Sequence, residues 1–206
     1  QKDAQVGAYD SVFYPSLQMM VKGAKPLGAT DCLNFGSPEN PKVMSEFVAS
    51  VEAIRDACLA LDIPVVSGNV SFYNETKTSP ITSTPAVGIM GIRPTVQNIP
   101  KDTFVEKGNR LVLVESKFAS TFTGERMWAG GIDPKKVANF GKILKTAVDS
   151  GDVVSSQMVG RGGVLLSLAR MCHNAPTSAL GCKLNEALGS KDLMTETLYQ
   201  AIFEVK

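Results

Sequence analysis

The feature that most restricts the fold is the stretch from Pro41 to about Leu61. Met44, Phe47, Val48, Val51, Ile54, Cys58 and Leu59 recur there at three- and four-residue steps, the spacing of a helix that buries one side. Pro41 suits a first helical position, where its missing N–H costs nothing. Such a helix needs an apolar surface to cover, and short apolar runs flank it. Pro26–Leu33 and Ile63–Val66 read as strands. Ser67-Gly68-Asn69 is expected to break the second strand, and a polar loop from Asn74 to Ser83 follows. Ser11–Lys22 reads as an earlier helix ended by Gly23, with Pro15 leaving its start open. Pro85–Ile92 is a further strand, stopped by Arg93-Pro94. The order helix, strand, helix, strand, strand excludes an all-helical bundle and a sandwich, and predicts an α/β or α+β fold.

Residues Thr95–Gly108 carry prolines and charges with little periodicity, and read as a connector between two domains, 1–94 and 109–206. Beyond it, Arg110–Val114 is a predicted strand. A loop with Gly124, Trp128, Gly130 and Gly131 leads to a helix over Pro134–Val148 capped by Asp133. Val153–Ser156 reads as a strand, Gly162–Met171 as a helix after a glycine-rich turn, and Ala179–Leu184 and Ala201–Val205 as strands.

Charge and composition narrow the functional classes. The net charge is +1, which gives no electrostatic reason for nucleic-acid or acidic-membrane binding. No apolar run approaches the roughly 20 residues of a membrane span. The first residues, Gln1-Lys2-Asp3-Ala4, include no initiator Met and no apolar signal region, so the chain is expected to be cut from a longer cytoplasmic protein. Cys32, Cys58, Cys172 and Cys182 form no CxxC pair and read as reduced thiols. His173 is the single histidine. It stands at the end of a predicted helix, a place for a cap more than for a catalyst.

Three stretches have the residues for chemistry. In Thr30-Asp31-Cys32-Leu33-Asn34-Phe35-Gly36 an acid and an amide stand where a strand empties into a loop. Ligands bind at such places, and the same residues also serve to bond loop amides. In Ser67-Gly68-Asn69-Val70-Ser71-Phe72-Tyr73-Asn74-Glu75 a glycine admits close approach of an anion to backbone N–H groups. The neighbouring amide oxygen suits a hard cation; a polar hairpin is the other reading. In Gln157-Met158-Val159-Gly160-Arg161-Gly162-Gly163 a glycine turn with an arginine opens a helix, either as an anion cradle or as a tight connection. Neither a Walker-type loop nor a GxGxxG between strand and helix is present.

Taken together, the first two loops, the apolar helix between them and Thr84-Pro85-Ala86-Val87-Gly88-Ile89-Met90-Gly91 resemble the second half of the formylglycinamidine ribonucleotide synthases. The resemblance is close over Gly23–Ile92 and looser up to Val205. It implies an aminoimidazole ribonucleotide synthetase-like α/β (α+β) fold, with a partial N-terminal A-type domain followed by a partial C-terminal B-type domain. It also implies the reaction: formylglycinamide ribonucleotide, ATP and glutamine-derived ammonia give the amidine, ADP and phosphate. Carried over by position, Asp31 and Gly68 would touch ATP, Asn69 would hold Mg²⁺ and Ser71 would contact the ribonucleotide. No catalytic residue is carried over. The implied partners are the first half of the same enzyme, a glutaminase subunit or domain that supplies ammonia, and a second copy of this chain where a sheet edge stays open.

One departure is plain. Where that family has a His-Asp-x-Ser-x-Gly-Gly pattern, this chain has Gln157-Met158-Val159-Gly160-Arg161-Gly162-Gly163, without the histidine or the acid. The loop is therefore expected to be structural, or at most an auxiliary anion site. Two other readings stay open: a non-catalytic nucleotide-binding or dimerisation module of the same fold, and another ATP-dependent enzyme of the superfamily. The absence of an aspartate-rich metal loop weighs against the latter.

Overall fold

A computed structural model describes residues 3–116, 132–173, 180–184 and 193–206. The predicted glycine loop with Trp128 lies outside them. The chain divides into two compact units, the first made of residues 1–16, 25–92 and 132–139, the second of 17–24, 93–131 and 140–206. Both mix helix and sheet, as the order of elements predicts.

The first unit is built on a three-stranded sheet, β1 (Lys25–Asn34), β2 (Val65–Ser71) and β3 (Thr84–Ile92), in the order β2-β1-β3. β1 runs parallel to β2 and antiparallel to β3. The parallel pair needs a crossover, and α2 (Pro41–Leu61) supplies it. Its bounds are those predicted. Asn40 caps it, accepting the Lys42 N–H at 3.0 Å, and Asp62 closes it in a left-handed conformation. Val43, Ala53, Ile54, Ala57 and Cys58 are its buried side.

Two expectations for this unit need correction. α1 spans Ala4–Met20, not Ser11–Lys22. The Asp3 carboxylate accepts the Val6 N–H at 2.9 Å and so starts the helix a turn and more earlier, leaving Pro15 in its interior. β2 does not break at Ser67-Gly68-Asn69 but continues through them, paired with β1 residue by residue from Thr30↔Ser67 to Asn34↔Ser71. Glycine is permitted in this strand because of what lies above it: a Cβ at Gly68 would collide with the Asp31 carboxylate.

The second unit holds a sheet of β4 (Arg110–Glu115), β5 (Val153–Met158) and β6 (Gln200–Val205), ordered β4-β6-β5 and antiparallel throughout. α3 (Pro134–Asp149) is capped by Asp133, which accepts from Lys135 N at 3.0 Å and Lys136 N at 3.2 Å. α4 (Gly163–His173) contributes Val164, Leu168 and Met171 to a core with Phe104, Val159, Leu193 and Ile202. Residues 180–184 form no strand. Leu180, Cys182 and Leu184 instead pack against that core as irregular chain. The Cys172 and Cys182 thiols hydrogen-bond to each other, and all four cysteines are free.

Two ionisable side chains organise this unit, Glu204 buried and Lys22 half-buried. Glu204, only 2% exposed, accepts the Val105 N–H at 2.9 Å, the Glu106 N–H at 3.1 Å and the Asn109 side-chain amide at 2.8 Å. The Lys22 ammonium donates to the carbonyl oxygens of Pro100 at 3.0 Å, Lys101 at 2.8 Å and Ser156 at 2.6 Å. Burial pushes its pKa down to about 8.

Candidate functional site

In the first sheet the side chains alternate between two faces, and this sorts the candidate residues. Asp31 is paired with Gly68, and Cys32 with Asn69. The Asp31 carboxylate lies directly over Gly68. Asp31 also lines a cavity of about 330 Å³ beneath α2, whose other walls include Leu33, Ile54, Arg55 and Cys58. Asn69 is exposed on the opposite, open face. That face also carries Thr30 and Ser67, whose hydroxyls are 2.9 Å apart. The sheet thus brings Asp31 to Gly68, and Asn69 to Thr30, Cys32 and Ser67. It does not place the Asp31 and Asn69 side chains on one face.

Burial raises the Asp31 carboxyl above its ordinary range, since partial desolvation disfavours the charged form. It also pushes the Cys58 thiol to about 11, with the Asp31 charge as a second cause. Cys58 is therefore an inert wall and not a nucleophile at neutral pH. The raised Asp31 carboxyl has a testable sign. The folded chain keeps that proton at a pH where the unfolded chain, near 3.9, has released it. The ionised carboxylate therefore costs stability at neutral pH, and the cost disappears as the pH falls below roughly 4. Asp31→Asn is expected to raise the urea midpoint at pH 7 and to lose that advantage in acid. An equal or lower midpoint at pH 7 would contradict the placement.

Ser71, at the end of β2, is engaged within the chain. The Asn74 side-chain amide donates to the Ser71 hydroxyl at 2.9 Å, to the Ser71 carbonyl at 2.9 Å and to the Phe35 carbonyl at 3.0 Å. Backbone bonds from Tyr73 N to Gly36 O (3.0 Å) and from Asn74 N to Phe35 O (3.1 Å) close the same clasp. Beneath it, the rings of Phe35, Phe47 and Phe72 pack with centroids 5.2–6.4 Å apart, pinning both strand ends to α2. Asn74 is the residue that sequence reasoning missed. Its value lies in joining two loops, and only the presence of an amide inside the second loop motif hinted at it.

The candidate metal position can be tested against its donors. Among the described residues no group of three or more His, Cys, Asp or Glu could hold a metal ion. Asn69 offers one amide oxygen, a ligand type that a hard cation accepts. The open face near it adds the Thr30 and Ser67 hydroxyls but no carboxylate, because Asp31 is on the other side. One amide oxygen and two hydroxyls do not make a cation site by themselves; Asn69 would supply at most one oxygen ligand to a cation held mainly by other groups.

In the second unit the structure corrects the reading of 157–163 as one loop. Gln157 and Met158 belong to β5, paired with Ile202 and Ala201 of β6. Met158 is 3% exposed, so a core thioether stands where the family pattern has a carboxylate. Only Gly160-Arg161-Gly162 turns the chain into α4. His173 is the last residue of that helix.

The first unit is thus a mixed parallel and antiparallel sheet with α2 as its crossover helix, an α/β arrangement. Residues 2–92 match the AIR synthase related protein N-terminal domain, and the chain belongs to this family. Over 97% of its length it is 37% identical to phosphoribosylformylglycinamidine synthase subunit PurL of Wolinella succinogenes, of which it covers 28%. The chain thus spans about 28% of the length of the curated relatives it matches. Its fold matches that of Thermotoga maritima PurL complexed with ATP, with a TM-score of 0.69 and 17% identity over 98% of this chain and 33% of that one. The same enzyme complexed with FGAR gives a TM-score of 0.68 at 16% identity, over 99% of this chain and 35% of that one. Among the described residues no helix is long and apolar enough to cross a membrane.

Proposed function

We propose that the chain is part of an ATP-dependent amidating ligase of de novo purine biosynthesis, active in the cytoplasm. Its reaction converts formylglycinamide ribonucleotide, ATP and glutamine-derived ammonia to formylglycinamidine ribonucleotide, ADP and phosphate. The observation that carries this reading is the 37% identity along 97% of the chain to a synthase subunit. ATP and FGAR complexes of a structural neighbour support the same two ligands. In that reaction the amide oxygen takes the γ-phosphoryl group, and ammonia adds to the activated carbon as phosphate leaves. Residues 1–94 are then a partial A-type domain, 95–108 a connector and 109–206 a partial B-type domain.

The geometry suggests how this chain would serve such a reaction. β2 is an edge strand, so its outer backbone groups are free to meet a ligand or another chain. Asp31 reaches over Gly68 on one face and Asn69 stands on the other, so only a ligand lying along that edge would touch both. ATP would meet Asp31 and Gly68 there, and Ser71 with its Asn74 clasp would position the ribonucleotide. Asp31 repels phosphate and accepts hydrogen bonds, so it suits a sugar hydroxyl or a base amine and not the triphosphate. Mg²⁺ at Asn69 would neutralise charge on the phosphoryl oxygens. The first half of the enzyme, a glutaminase, and a second copy of the chain at the open edges are the partners of this reading.

The full-length protein, given ATP, formylglycinamide ribonucleotide and ammonia, is expected to form the amidine with one ADP per turnover; a well-folded protein that forms none overturns the proposal. The purified 206-residue chain is expected to be inactive alone, because it covers so little of its relatives. Amidine formation by that chain at a rate near the full-length protein's would show that its own residues suffice.

A further inference from the structure

Two thiols that the ligase reading does not use face each other in the second unit. Cys172 is next to the last residue of α4, and Cys182 lies in the irregular stretch 180–184. The thiols are in hydrogen-bond contact, and both side chains pack against the core that holds Leu168 and Met171. Both are free and only partly buried, so a small solute reaches them. Sulfurs in such contact need to close by roughly 2 Å to reach the disulfide bond length of about 2.05 Å. The helix fixes one partner. The other sits in chain with no strand ladder to break, so a small shift of 180–184 supplies the approach.

We propose that Cys172 and Cys182 form a dithiol oxidation site, which a hydroperoxide converts reversibly to a disulfide joining the end of α4 to the 180–184 stretch. In the first step the Cys172 thiolate attacks a peroxide oxygen. The S–O bond forms, the O–O bond breaks, and the hydroxide or alkoxide that leaves takes up the proton the thiol released. In the second step the Cys182 sulfur attacks the sulfenic acid. The S–S bond forms, the S–O bond breaks, and water leaves with the Cys182 proton. The pair loses two electrons and the peroxide gains them. Burial, and then contact with Cys172, raises the Cys182 thiol above its ordinary range. Less of it is thiolate, which gives it the resolving role and Cys172 the first attack. A thiol reductant reverses the reaction by exchange. This site does not depend on the ligase reading.

In the test the 206-residue chain is treated with hydrogen peroxide, and the remaining thiols are blocked with iodoacetamide in urea. Trypsin then releases Met171–Lys183, a single peptide that holds both cysteines. It is expected to be unalkylated and lighter by two hydrogen atoms, and to regain both thiols after a reductant. Cys32 and Cys58, in the first unit, are expected to remain alkylated. In Cys182→Ala the oxidation is expected to stop at a Cys172 sulfenic acid, which dimedone traps. A second measurement needs no variant. At equilibrium with reduced and oxidised glutathione, the native chain is expected to favour the disulfide at least about tenfold more than the chain in urea, because a link that fits the fold is held by it. A peptide that keeps both thiols, a bridge formed only between separate chains, or a glutathione equilibrium no more oxidised in the native state than in urea each overturns the proposal.

Discussion

On the proposed ligase reading, Asn69→Ala in the full-length protein is expected to lower kcat by about 100-fold, the cost of losing one charge-stabilising group near a phosphoryl transfer. The residue is suited to such a trial because its side chain is exposed on the open sheet face. The substitution removes no buried contact, so folding should be intact. β2 stays paired to β1 through its backbone, which the side chain does not influence. The loss should fall on kcat more than on KM for the ribonucleotide, and should shrink as Mg²⁺ is raised. A variant with full turnover at limiting Mg²⁺ would reduce Asn69 to a surface residue of an edge strand, and would move the cation site off this chain.

The second large effect concerns stability. Glu204→Ala is expected to cost on the order of 3–5 kcal/mol, because three donors lose a charged acceptor in a place that water reaches poorly. In a chain of this size that is a fall in Tm of roughly 10 °C or more. The Val105, Glu106 and Asn109 donors all lie in the segment leading to β4, so amide exchange there should rise first. Glu204→Gln should fall between the two, since its amide oxygen can keep one acceptor role while its NH₂ faces a donor. A melting temperature within a degree or two of wild type for the alanine variant would mean that the three donors find other partners.

What could be read from the sequence followed from local rules. The limits of α2 are legible from Pro41 and its apolar period, but its buried side is not. Of the apolar residues read there Ile54 and Cys58 are buried, whereas Val48, Val51 and Leu59 are exposed. β3 and β6 are legible as short apolar runs. The errors came from partners distant in sequence. Gly68 looked like a strand breaker, and only the Asp31 carboxylate across the ladder explains it. Gln157 and Met158 looked like loop because their pairing strand begins at Gln200. Asp31 and Gly68 are each named from the family pattern as ATP contacts, while their pairing across the ladder comes from the structure. That Asn69 lies on the other face depends on the β1–β2 register, which has an irregularity at Ala29/Thr30 that no local pattern announces. Glu196, which accepts the Gly162 N–H, and Glu204 gave no signal, because an acidic residue bonded to backbone amides reads like any other surface acid.

The order β4-β6-β5 bears on how the protein is made. Among the described residues β4 pairs with the strand at Gln200–Val205 alone, while β5 pairs with that strand and forms one bridge from Ser155 to Lys101, so the ladder of β4 cannot form until Gln200–Val205 leaves the ribosome. β4 waits unpaired through synthesis of residues 116–199, and β5 lacks its ladder partner through residues 159–199, which is the condition for capture by a chaperone or by another nascent chain. The second unit can therefore acquire its sheet only after Val205 has been made, whereas β1, β2 and β3 are all available to pair once Ile92 has emerged. Slowing translation late in the message would lengthen that exposed interval for the second unit alone.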